Sequence, residues 1–225
     1  MIKRETICFK DRFNRAQVFS TTPGQNGWTI ADTSSSGTPT YLCVTEDGGA
    51  AKLTLAATSE AEIVTLYHND VLVFDLASVH NFYWIAKVAG IDSATTLTLG
   101  MGSARNDTDD SVAVNAYFRL QGSASLSALV VETDDGTTDL DDKATGVSLA
   151  SNYVLLLADF TYGLSDVRFY ANGARVAAST PFDMSAISSG QNVQPLVQIQ
   201  KASGTGTPSV TLAEFGCTYE VAYGA

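Results

Sequence analysis

A two-residue Asn172-Gly173 step between alternating segments constrains this chain more than any other feature. A tight hairpin turn of type I′ needs positive φ at both central residues, and Asn followed by Gly meets that need at least cost. Pairing across it sets Ala171 against Ala174, Tyr170 against Arg175 and Phe169 against Val176. One side of the ribbon then carries Val167, Phe169, Ala171, Ala174, Val176 and Ala178, and the other carries Arg168, Tyr170 and Arg175. An antiparallel sheet with one dry and one wet face follows.

The same period of two runs through the chain. Tyr41-Leu42-Cys43-Val44 and Lys52-Leu53-Thr54-Leu55 flank a turn at Asp47-Gly48-Gly49. Segments 63–67 and 71–76 flank His68-Asn69-Asp70. Phe82, Trp84, Ala86 and Val88 share a face, as do Val112, Val114, Ala116, Phe118 and Leu120, with Asn115, Tyr117 and Arg119 pointing away. Leu129-Val130-Val131 and residues 153–160 are nearly continuous apolar runs, the pattern of strands covered on both sides. Near the C-terminus Val210 and Leu212 keep one phase and Phe215, Cys217, Tyr219 and Val221 the other, which predicts a bulge near residues 214–216. No helical period is sustained; residues 184–188 predict at most one turn. Polar loops are expected at residues 103–111 and 133–146, among others. Some thirteen short strands in 225 residues predict one all-β domain, a jelly-roll-like sandwich of two antiparallel sheets.

Charged residues are 16% of the chain, against roughly 25% in an average domain, and the net charge is −11. That balance argues against nucleic acid and anionic membranes as partners. The first fifteen residues depart from it. Lys3, Arg4, Lys10, Arg12 and Arg15 stand against Glu5 and Asp11, so this segment is +3 and the remainder −14. It is either an edge strand guarded by cations or a basic arm that docks on an acidic neighbour. Cys8, Cys43 and Cys217 have no metal-ligand spacing and are expected to stay reduced and buried, in a chain made in a cytoplasm. The first residues lack the apolar segment of a secretion signal, and no apolar run reaches membrane-spanning length.

Three places carry a family resemblance: Phe9-Lys10-Asp11-Arg12-Phe13-Asn14 with Gly27-Trp28, the strand–turn–strand at 166–176, and the closing strand at 212–221. Together they resemble the concanavalin A-like lectin/glucanase sandwich in its laminin-G-like form, and imply that the last strand returns beside the first. The layout is also similar to bacteriophage virion structural proteins that use this sandwich. That resemblance implies a head decoration (cement) protein or a tail-associated module.

The chemistry of the glucanase members is only half present. They carry Glu-x-Asp-x-x-Glu on one strand, because retaining hydrolysis needs two carboxylates about 5 Å apart. Glu132-Thr133-Asp134 matches the first half, but the sixth position is Thr137 and Asp135-Gly136 reads as a turn. The loop bearing Asp134, Asp135, Asp139, Asp141 and Asp142 is a solvated acidic turn or a calcium site, and Asp107, Asp109 and Asp110 form a second acidic stretch of the same kind. His68 and His80 are expected at the surface or in turns. Trp84 is a core residue; Trp28 is either core or a platform for a sugar ring. Tyr117, Tyr170 and Arg175 face outward, where they line a sugar groove, line a subunit contact or simply pair across strands.

No catalytic set and no cofactor motif is found. The reading is a non-enzymatic virion structural protein, a decoration protein on the phage head lattice, resident in the virion. It would be a homo-oligomer, by analogy a trimer, touching capsid or tail subunits through Lys3, Arg4, Lys10, Arg12 and Arg15. The alternative is a carbohydrate-binding, lectin-like module of a phage tail or surface protein. A hydrolase stands third.

Overall fold

The computed structural model describes residues 3–14, 18–46, 48–187 and 190–223, and it is built almost wholly of antiparallel strands. In chain order these are β1 (Lys3–Asp11), β2 (Thr29–Asp32), β3 (Thr40–Val44), β4 (Ala50–Thr54), β5 (Glu62–Tyr67), β6 (Phe74–Asp75), β7 (Val79–Ala89), β8 (Thr95–Gly102), β9 (Val114–Gln121), β10 (Ala128–Asp135), β11 (Asp139–Ser148), β12 (Val154–Asp159), β13 (Arg168–Ala171), β14 (Ala174–Val176), β15 (Asn192–Lys201) and β16 (Ser209–Tyr223). One sheet runs β14-β13-β12-β7-β16-β4-β3, with β1 also on β16; the other runs β11-β10-β9-β8-β15-β5-β2, with β6 also on β15. The expected two-sheet sandwich is present, with more and shorter strands than the sequence indicated.

The core lies between the sheets and is strongly aromatic. Trp84 and Phe215 stack at 4.6 Å, and Trp28 meets Phe13, Trp84 and Phe215 within 6 Å. Such ring pairs add about 0.5–1.5 kcal/mol each beyond simple burial. Trp28 is therefore a core residue, not a sugar platform. The Asn172-Gly173 hairpin has the predicted register, with φ of 49° and 81° at its two turn residues. Ala174 and Ala178, at its tip and beyond it, are exposed despite sharing the dry phase.

β1 lies on β16, from Lys3 opposite Tyr223 to Asp11 opposite Phe215, as the resemblance implied. The two halves of the first motif meet directly. Asp11 Oδ2 accepts from Trp28 Nε1 and Asn26 Nδ2, each at 2.8 Å, while Oδ1 accepts from the Phe13 amide. β16 shifts register against β7 between Leu212 and Glu214, so the bulge sits just before its predicted place.

Other expectations need correction. Residues 71–76 do not form a strand beside β5. Only Phe74 and Asp75 are extended, and they pair with β15, leaving Val71 and Val73 in solvent. Residues 133–146 are no loop but a hairpin, β10 and β11 joined by a short turn at Gly136. β12 buries alternate residues only, so its apolar run is not covered on both sides. Residues 184–187 form a turn without helix. Cys217 is buried and Cys43 half-buried, but Cys8 is exposed.

Candidate functional site on the covered sheet face

Alternation in β8, β9, β10, β15 and β5 sends Leu99, Phe118, Val131, Val197 and Val64 into the core. It sends Thr98, Arg119, Glu132, Gln198 and Thr65 to the opposite face. That outer face is not open. The connection from β8 to β9, residues 103–113, folds back across it. Gln198 Nε2 donates to the Asp107 carbonyl at 3.2 Å, the Arg105 amide donates to Asp70 Oδ1 at 3.0 Å, and Thr98 Oγ1 donates to Asp109. Val112 joins Tyr67, Tyr117 and Leu196 in a second, smaller apolar cluster beneath this strap. Tyr117, predicted to face solvent, is consequently buried. Its ring needs Gly100 opposite it and Gly102 nearby: a Cβ at Gly100 would sit 2.7 Å from the ring and one at Gly102 2.3 Å from the hydroxyl.

Arg119 is the hinge of the site. Its guanidinium reaches Asp109 and Asp110 from the strap, Glu132 from β10 and Asp142 from β11, with only 6% of its side chain exposed. Burial opposes its charge, but Asp109 and Glu132 hold it protonated more firmly than usual. Burial pushes the Glu132 carboxyl up to about 7; Arg119 pulls it back, and the Asp110 and Asp109 charges add to the rise. Asp139 is pushed up to about 6, first by burial and then by its hydrogen bond with Asp141. Oxygens of Asp110, Glu132 and Asp141 lie within 4.8 Å of one another. Asp110 and Asp141 are exposed while Glu132 is enclosed, at 1%.

The two acidic stretches that the sequence marks separately thus meet around one arginine. The calcium-loop expectation is corrected in its details. Asp135 accepts from the amides of Thr137, Thr138 and Ala186, and Asp134 from that of Gly136, so both serve the turn. The converging set instead takes Asp141 from the expected residues, Glu132 from the glucanase half-motif and Asp110 from the second stretch. Three carboxylates can supply part of the six to eight oxygens that calcium takes. As a hydrolytic pair they fall short, because Glu132 is sealed beneath Arg119 and the strap.

The basic N-terminal residues lie elsewhere, along the β1–β16 seam. Arg4 pairs with Glu220 at 3.0 Å, and Lys10 and Arg12 pair with Glu214 at 2.6 and 2.9 Å. Arg15 and the Lys3 side chain fall outside the described residues. Tyr170 is half-buried and Arg175 exposed, as outward residues should be. His80 is half-buried, 3.5 Å from Glu220. His68, expected at the surface, is buried against Trp28 and Phe9, with ring centroids at 4.4 and 5.9 Å. Burial pushes its pKa down to about 4, so the ring is neutral.

No family model matches the chain, and no curated protein matches it in sequence. Solved structures do match in shape. The carbohydrate recognition domain of Emp47p superposes with a TM-score of 0.56 at 12% identity, over 88% of this chain and 90% of that one. The transglycosylase Crh5 gives 0.54 at 12%, over 93% and 83%. SO2946 from Shewanella oneidensis MR-1, a protein of unknown function, gives 0.61 at 9%, over 96% and 87%. The chain has the concanavalin A-like sandwich fold. Among the described residues, no helix is long and apolar enough to cross a membrane.

Proposed function

We propose that this chain is a non-enzymatic carbohydrate-binding domain, and that its glycan docks where Asp110, Asp139 and Asp141 stand at the open edge of the strapped sheet face. The observation that carries the reading is a surplus of fixed acceptors. Asp109, Asp110, Glu132 and Asp142 converge on a single buried guanidinium, with Asp141 beside them. Ionised carboxylates only accept hydrogen bonds, so the matching ligand is rich in donors, as a polyhydroxylated sugar is. Anchoring through Arg119 holds the acceptors in place before binding, which lowers the ordering cost. The likeness to carbohydrate recognition domains supports this class of ligand rather than attachment to a virion, although at this identity the likeness itself speaks for fold alone. The enclosure of Glu132 supports binding without cleavage.

Glycan-array screening followed by calorimetry tests the proposal. The unmodified chain should bind at least one neutral glycan, and Asp110→Asn with Asp141→Asn should weaken that binding by about tenfold or more, as the loss of charge-assisted bonds requires. Repeating the titration in chelator and in calcium separates direct acceptance by carboxylates from bridging through a cation. No glycan bound in either condition, or binding untouched by the double substitution, overturns the proposal. Release of cleaved product from the bound glycan overturns its non-enzymatic part.

A further inference from the structure

A second site shares no residue with the carboxylates. Where the end of β5 turns toward β6, a cavity of about 260 Å³ opens between Phe9 on β1, Tyr219 on β16, Phe74 on β6 and the connecting residues His68, Val71 and Val73. Its walls are almost entirely apolar. Val71 and Val73 stand 57% and 48% exposed at its mouth, two of the six large apolar side chains left in solvent among the described residues. Paired aliphatics at the rim of a cavity mark a surface that something covers.

One polar atom breaks the apolar lining. His68 Nε2 is buried and has no hydrogen-bond partner among the described residues. A buried polar atom without a partner costs about 1–3 kcal/mol, and native proteins seldom leave one so. The ring is fixed in place: Trp28 lies edge-on to it, and Gly27 packs against it so closely that an added Cβ would sit 3.9 Å from its carbon edge. The orphan nitrogen therefore cannot turn away to find water.

We infer that this cavity binds a small aromatic alcohol, a single ring bearing one hydroxyl that bonds to His68. The volume sets the size. An apolar cavity of about 150 Å³ holds a bare benzene ring, so this one holds a ring with a short substituent. The walls set the ring's character, because Phe9, Phe74 and Tyr219 offer edges and faces for aromatic contact. The neutral imidazole sets the substituent. A hydroxyl both donates and accepts, so it satisfies His68 Nε2 in either tautomer.

The probes are 4-methylphenol and toluene, which differ by one hydroxyl, titrated into the full chain by calorimetry. Both should bind, with 4-methylphenol about five- to tenfold tighter, the effect of one net hydrogen bond. His68→Phe should erase the difference, and Val73→Trp, which fills the mouth, should weaken both. In unmodified protein, saturation with 4-methylphenol should also move the ¹⁵N resonance of His68 Nε2, a readout that survives if either substitution prevents folding. Failure of both probes to bind up to their solubility limits overturns the inference. Equal affinities, or an unmoved His68 resonance at saturation, overturn the hydroxyl assignment with it.

Discussion

One sheet carries two buried cations, and they are treated in opposite ways. Lys201, at the end of β15, lies on the core side and meets Glu62, its register partner on β5, at 3.1 Å with both side chains fully enclosed. Its ammonium also donates to the carbonyls of Ala56 and Gly206, so two connections are tied to the sheet end. Charge there is balanced one to one. Arg119, on the outer side, has four carboxylates in contact and a fifth close by, and the cluster opens to solvent through Asp110 and Asp141. Balanced, sealed charge serves the fold. Unbalanced charge held at a surface costs stability and leaves binding capacity, the usual mark of a place kept for something other than folding.

Substitutions can break this contrast. The largest effect should come from Lys201→Met, which strands Glu62 in the core. A loss of about 3–5 kcal/mol is expected in urea unfolding, mostly restored when Glu62→Met is added. A cost under about 1 kcal/mol would mean the pair is not sealed as described. Next is the pH profile of Glu132. Its native carboxyl, held up near 7, keeps a proton that the unfolded chain sheds near 4.5. The stability this lends is full below about pH 4.5 and lost as pH rises to about 7, on the order of 2–3 kcal/mol in all. Glu132→Gln should remove that slope from the difference between the two proteins; an unchanged slope would place the proton elsewhere. The smallest effect is Asp141→Asn. Relieving like charge should leave stability level or raise it by about 0.5 kcal/mol at low salt, with the gain fading at high salt. A clear loss would turn the outer cluster into a second structural pair.

What the sequence discloses and what it hides divide along physical lines. Local turn chemistry is readable, and so the Asn172-Gly173 register was predictable pair by pair. Alternation correctly separates Phe118 from Arg119 and Val131 from Glu132. It does not say whether an outward face meets water or another part of the chain. Tyr117 and Arg119 look solvent-facing for that reason, and the strap that covers them is held by side-chain hydrogen bonds with no period to detect. The glycines at 100 and 102, small residues in a strand that faces a large aromatic, were the available signal. His68 was misplaced likewise: its polar neighbours Asn69 and Asp70 read as an exposed turn, while its ring is fixed by Trp28, forty residues earlier. The two acidic stretches were visible as composition, but their meeting at Arg119 depends on the fold of the strap.

The order in which strands are laid down has its own consequence. β15 is inserted between β8 and β5 and β16 between β7 and β4, so each sheet is completed by a segment from the last part of the sequence. Until those segments emerge during synthesis, both layers exist as half-sheets with unpaired seams, and closing them requires contacts between distant parts of the chain. Such topologies fold slowly and expose sticky edges meanwhile. Yield of the intact molecule should therefore depend on translation speed and chaperone supply, and lower growth temperature should favour it.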